Sequence, residues 1–366
     1  MTAVAMPDEH RTMLADSIGR LLRDAGAVQS RLSEGWNAEL WSQIDEMGLP
    51  LLLVPEAAGG IGGSWEDAQV VLHALGAHAV ALPVAESMLA RRLLAVAGFD
   101  APSGLIGLAP QAIGALDFEG AARSRARYTG ALIGVPWGRR LDSIAAVIAQ
   151  DGRSFVIIVP RAAAASMHET ANLAGEPRDR LLFKSVDALA VECNPPEMVD
   201  LMRHCALLRV GQIAGALETA LARSITYAGE RIQFGKPIGN FQVVQQQLAV
   251  FGSEVAAVGC AARAAFRAAT IGDAGFEIAA AKLRANLAID AATAIAHQVH
   301  GAIGFTHEYD LRHYTQRLWS WRSEFGNDRR WSEELGSAVI ARGAEAFWAD
   351  LTRRGDTAAL NSEATS

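Results

Sequence analysis

The stretch Arg231–Phe251, RIQFGKPIGNFQVVQQQLAVF, interrupts two runs with helical spacing. Before it, MRHCALLRVGQIAGALETALARSITYAGE places Leu207, Val210, Ile213, Leu217, Leu221 and Ile225 on one side of a 3.6-residue period. After it, a second long helix starts near Gln242. The plain reading is a helix–helix connection, with Gly235 as a C-terminal cap and Pro237 as a stop. The residue types also suit an anionic ligand. Arg231 offers a planar fork of donors that matches a phosphate. Phe234 is a flat apolar surface, and Gln242 brings a donor and an acceptor to the start of the next helix.

Working outward, QVVQQQLAVFGSEVAAVGCAARAAFRAATIG, FEIAAAKLRANLAIDAATAIAHQVHG and RRWSEELGSAVIARGAEAFWADLTRRG each read as one long helix. Together with the run before Arg231 they predict a bundle of antiparallel helices. Its abundant Ala and Gly suit close approach, and burial of one face against another subunit. Between Gly104 and Cys193 the period changes. SIAAVIAQDGRSFVIIVP is two β-type runs around Asp151-Gly152, a hairpin signal. ALDFEG, ARYTGALIG and RDRLLFKSVDALAVE read as short strands, and Pro195-Pro196 closes the segment.

The N-terminal part is helical. DEHRTMLADSIGRLLRDAG has Asp8 as its expected cap, SEGWNAELWSQIDEMG stops at Gly48, and Ser64 can cap the helix that follows. The apolar run VVLHALGAHAVALPVAESMLA contains His73, His78, Pro83 and Glu86, so it predicts a buried helix pair and not a membrane span. The predicted fold class is α+β, mostly helical. It has an N-terminal helical domain (1–100), a middle β-sheet domain (101–196), a C-terminal four-helix bundle (197–355) and a disordered tail (356–366).

The 366 residues are 51% apolar, with a net charge of −7 and a pI near 5.8. That balance disfavours a general binder of nucleic acid or of anionic membrane. Three scattered cysteines, Cys193, Cys205 and Cys260, form no disulfide framework and fit a cytoplasmic location. MTAVAMPDEH lacks the features of a signal peptide. His297, His300, His307 and His313 cluster in sequence, but no metal-site motif joins them. GGIGG at 59–63 lacks the pattern of a phosphate loop.

Three motifs carry a resemblance. RIQFGKPIGNFQVVQ looks like the R-x-x-F-G-x-x-(I/L)-x-x-(F/H)-Q signature of the acyl-CoA dehydrogenase family. QVHGAIGFTHEYDLRHYTQR is similar to that family's second signature, and LWSQIDEMGLPLLLVPEAAGGIGGSWED to its N-terminal segment. All three stand in the family's order, around a β segment, across nearly the whole chain. The resemblance implies FAD, an acyl-CoA substrate, and electrons passed to an electron-transfer flavoprotein. It also implies a homo- or hetero-oligomer, usually a tetramer. By the match, Arg231, Phe234 and Gln242 would hold the pyrophosphate and adenosine end of FAD, and Gln298, Gly301 and Ala302 would approach the nucleotide from a neighbouring subunit. Where the family has Gly-Gly, this chain has Gly301-Ala302.

The chain also departs from the family. The family's base is the Glu of an E-G-(T/S) motif, and an ungapped count puts Phe325-Gly326-Asn327 there. Glu324, one residue early, is the candidate catalytic base; the plainer reading is a loop charge or an ion-pair partner of Arg322. The alternative base position matches Cys205, and the family's substrate-side arginine matches Ala206, with Arg203 nearby. The flavin loop is reduced to GLIGLAP and the W-I-T-N segment to GVPWGRR, where Trp137 is a candidate to pack near the flavin and plain core is the commoner role of such a residue. Two functions are therefore expected. One is FAD-dependent α,β-dehydrogenation of an acyl-CoA, and the other is a non-catalytic or half-site subunit of a heteromeric dehydrogenase. The resemblance sets both in fatty-acid or steroid side-chain catabolism.

Overall fold

The computed structural model describes residues 8–29, 35–100, 102–118, 125–193, 201–306 and 309–355. The expected tail, Pro195-Pro196 and His307 lie outside these residues. Four helices come first: α1 (Asp8–Gln29), α2 (Ala38–Glu46), α3 (Trp65–Ala77) and α4 (Val84–Val96). Ser64 caps α3 in a reciprocal capping box with Asp67, which satisfies two otherwise orphaned donors. Helix α2 is shorter than its apolar pattern suggests, because the Asn37 side chain caps it late, accepting from Leu40 N.

Seven strands form the middle sheet in the order β1-β4-β5-β7-β3-β2, with β6 also paired to β7. These are β1 (Ile106–Leu108), β2 (Gln111–Phe118), β3 (Arg125–Pro136), β4 (Ser143–Gln150), β5 (Arg153–Pro160), β6 (Ser166–His168) and β7 (Arg178–Cys193). β4 and β5 form the expected hairpin, with Asp151 and Gly152 both at positive φ. The segment expected as a short strand is instead a 16-residue strand, β7. It is long because it pairs with β3 from Arg178 to Leu189 and with β5 from Leu189 to Cys193.

The C-terminal helices are α5 (Leu201–Glu230), α6 (Gln242–Ile271), α7 (Gly275–His300), α8 (Leu311–Ser323), α9 (Asp328–Arg342) and α10 (Ala344–Gly355). The last predicted helix is thus two, broken at Gly343, whose φ is 82°. The turn after α5 also differs from a simple cap. Ile232–Gln233 (β8) pairs with Lys236–Pro237 (β9), and Phe234 and Gly235 form a tight turn at φ 52° and 79°. Helices before and after the sheet share one apolar core, which runs from Ile18 on α1 through Leu72 on α3 and Ile213 on α5 to Trp331 on α9. The sheet has its own core around Tyr128, Leu132, Ile157 and Phe183. Helices α3 and α5 meet backbone to backbone. A Cβ on Gly76 would stand 1.9 Å from the Gln212 carbonyl oxygen, and one on Gly215 would stand 2.0 Å from that of His73.

Helices α5 and α6 are both long and apolar enough to cross a membrane by length and composition. α5 is a core helix, with 78% of its most apolar window buried. α6 is not, with 22% buried, and Val243, Val250 and Ile271 are exposed along it.

Candidate functional site

Glu324 lies in the connection between α8 and α9, at the junction of the sheet with both sets of helices. Its carboxylate accepts from Arg178 Nε at 2.9 Å and Nη2 at 3.2 Å, and from Asn172 Nδ2 at 3.0 Å. Arg209 Nη2 stands 2.8 Å from its other side. Arg209 also binds Glu86 on α4 at 2.8 Å, and Glu176 joins Arg178 at 3.1 Å and Arg317 at 2.8 Å. Three carboxylates and three guanidiniums therefore share one buried cluster, drawn from α4, the start of β7, α5, α8 and the α8–α9 connection. Such a cluster is tolerable because every charge has opposite neighbours.

Burial alone pushes the Glu324 pKa up, but Arg178 and Arg209 outweigh it and hold the carboxyl at about 2. Burial likewise opposes ionisation of Glu176, and Arg317 and Arg178 still bring its pKa below the ordinary value. A carboxylate at about 2 is a weak acceptor for an α-proton at neutral pH. Arg178 and Arg209 also line a small cavity with Glu86, Trp137, Glu176 and Trp321, whose volume of about 10 Å³ has room for a single water molecule. Arg322, the expected partner of Glu324, pairs instead with Asp290 and Asp328 at 2.7 Å each.

The loop is held in an unusual shape. Phe325, where an ungapped count put the expected base, has φ 58°. Its ring lies 5.1 Å from the Arg209 guanidinium, which stands equally far from the Trp321 ring. Gly326 follows at φ 108°, where an added Cβ would sit 2.3 Å from Trp331 Nε1. Trp137 is buried edge-on against Trp36 at 5.5 Å, a packing role. Arg203 pairs with Glu334 at 2.7 Å, and Cys205 is buried.

The expected nucleotide residues lie elsewhere, at one end of the bundle. Arg231, Gln242 and Gln298 are exposed, and among the described residues their side chains have no hydrogen-bond or ion-pair partner. Phe234 is 93% exposed on its strained turn, an apolar ring held out of the fold. Gly301 and Ala302 are exposed just after α7. The two groups hang from the C-termini of α5 and α7, whose last turns meet where Tyr227 stacks on His300 at 4.6 Å. A single chain thus presents both. Free donors beside an exposed flat ring and small residues fit the pyrophosphate and adenosine end of a dinucleotide. His300 is committed to Ala296 O and Tyr309, His297 is bonded to Thr315, and among the described residues no group of three or more potential metal ligands converges.

The motifs and the architecture are matched by known proteins. The family model for the acyl-CoA dehydrogenase N-terminal domain matches residues 8–101, and that for the C-terminal domain matches 198–328. Acyl-CoA dehydrogenase IpdE2 of Mycobacterium tuberculosis is 30% identical over 318 residues, covering 85% of this chain and 91% of that protein. The fold is shared with a chain of the ChsE4–ChsE5 complex of Mycobacterium tuberculosis (TM-score 0.81, 22% identity, 93% and 99% of the two chains). It is also shared with the Tcur3481–Tcur3483 steroid ACAD (TM-score 0.82, 23% identity, 92% and 99%). The chain belongs to the acyl-CoA dehydrogenase family, oxidoreductases that act on CH–CH bonds, and is a divergent member of it.

The charged cluster escaped sequence reasoning, because Glu86 and Arg209 stand singly inside apolar helical patterns. Arg209 in ALLRVGQIAGAL was the available signal, since a lone charge on a buried helix face needs a partner.

Proposed function

We propose that the chain works in the FAD-dependent α,β-dehydrogenation of an acyl-CoA thioester, with electrons passed to an electron-transfer flavoprotein, as one subunit of a cytoplasmic heteromer. FAD, when bound, supplies the two-electron acceptor for oxidation of the Cα–Cβ bond. This chain's part is to hold the nucleotide end. Arg231 would pair with the pyrophosphate, Phe234 would cover the adenosine side and Gln242 would hydrogen-bond near the same end, while Gln298, Gly301 and Ala302 would approach the nucleotide held by a neighbouring subunit.

Two arrangements fit the family. In a homomer Glu324 would take the α-proton; in a heteromer a sibling subunit brings the carboxylate. The observation that favours the heteromer is the clamp on Glu324, a carboxylate held at about 2 by two arginines. The paired names of two structural relatives support the same reading, and one of them suggests a steroid-type acyl group. The exposed apolar face of α6 is then the surface a sibling of the same fold covers, in a tetramer of the family's usual kind.

Purification alone and together with a complete sibling, followed by the visible absorbance spectrum, tests this reading. Bound flavin and bleaching by an acyl-CoA in the co-purified assembly support it. A fully active, flavin-loaded homomer overturns it.

A further inference from the structure

We propose that Lys282 and Asn286 are positioning residues for the α8–α9 connection, fixing from outside the charged cluster where the carboxylate of residue 324 lands. Both stand on α7, four residues apart and so on one face of the helix. Lys282 is completely buried. Its ammonium donates to the Trp321 carbonyl at 3.0 Å, to the Arg322 carbonyl at 3.1 Å and to Asn286 Oδ1 at 2.5 Å. Asn286 Nδ2 donates in turn to the Gly326 carbonyl at 3.3 Å. The pair therefore grips the connection at both ends, with Glu324 and Phe325 in between.

Helix chemistry explains the first grip. The last carbonyls of a helix lack internal partners and carry the negative end of its dipole. In its protonated form the buried Lys282 needs three acceptors, and here it has three, two of them such carbonyls. The second grip explains the loop shape. Phe325 has φ 58°, which a bulky side chain adopts only where the surroundings impose it. Released at 326, Phe325 would relax to negative φ and turn the chain on either side of it, carrying the Glu324 side chain away from Arg178 and Arg209. Arg209 and Arg322 face Lys282 with like charge, while Glu324 and Asp328 face it with opposite charge. Burial and Arg209 together bring its pKa down to about 7. This geometry is independent of whether Glu324 ever accepts a proton, so the inference stands or falls apart from the functional reading.

Crystal structures of the full chain carrying Lys282→Met or Asn286→Ala test it, with circular dichroism to confirm the fold. Met keeps the bulk of the lysine and removes its donors; Ala removes only the Gly326 arm, and keeps the test open if Lys282→Met does not fold. The expected result is a loop in which Phe325 takes a negative φ and Glu324 has left hydrogen-bond distance of Arg178. A folded Asn286→Ala or Lys282→Met variant that retains the Arg178–Glu324 and Arg209–Glu324 contacts would show that the pair only fills and caps the core, and would overturn the proposal.

Discussion

Arg178 reaches across from the first residue of β7 to grip Glu324 with two nitrogens, Nε at 2.9 Å and Nη2 at 3.2 Å. This contact joins the sheet to the C-terminal bundle, and Arg209 extends it to Glu86 in the N-terminal helices. One carboxylate is thus a joint between three parts of the chain.

Glu324→Gln should therefore destabilise the protein. It leaves Arg178 and Arg209 short of a buried counter-charge, and removing one partner of such a pair costs roughly 3–5 kcal/mol. Chemical denaturation at pH 7 measures it. A change below about 0.5 kcal/mol, the range of ordinary surface substitutions, would mean the contact is not maintained in solution.

The loss should depend on pH with a definite sign. The Glu324 pKa falls from 4.5 to about 2 on folding, so its stabilisation is fully present above about 4.5 and is lost as pH falls toward 2. The shift corresponds to about 3 kcal/mol. Stability of the wild type and of Glu324→Gln, followed downward from pH 6 as far as both remain folded, should converge. Parallel curves below pH 4 would contradict the depressed pKa.

Arg231→Ala should leave the fold intact, since the side chain has no partner among the described residues. It should weaken FAD retention by the assembly tenfold or more, the loss of one charge-assisted bond of about 1.5–3 kcal/mol. Unchanged retention, read by ultrafiltration and flavin fluorescence, would reduce Arg231 to a turn residue.

The open face of α6 predicts an oligomer. Val250→Glu places a charge among exposed apolar residues of that helix and should shift the assembly toward smaller species in light scattering, with the chain's own fold retained. An unchanged assembly mass would move the interface elsewhere.

Much of the fold was legible in the sequence because its signals are local. The Asp151-Gly152 hairpin and the Ser64 cap depend on neighbours within four residues. So does the tight turn at Phe234-Gly235, although its hairpin form was not anticipated, because Gly235 serves equally well after a helix. The division of the last helix at Gly343 was missed for the same reason: a lone glycine in a helical pattern breaks the helix or does not, according to tertiary packing. The positions expected to hold the nucleotide were named from motifs alone, and the structure adds that both groups are exposed at one end of the bundle. The Glu86–Arg209–Glu324–Arg178 network was not legible. Its members are scattered along the chain, from Glu86 to Glu324, and only the packed domains bring them together.

The most direct test of the central claim is anaerobic stopped-flow reduction of bound flavin by acyl-CoA substrates. The chain alone and its complex with a complete sibling would be compared, each as wild type and as Glu324→Gln. The account predicts no reduction by the chain alone, reduction by the complex, and little change in the rate of the folded complex on Glu324→Gln. Rapid reduction by the wild-type chain alone, slowed about 10²-fold or more by Glu324→Gln, would make Glu324 the base and contradict the account.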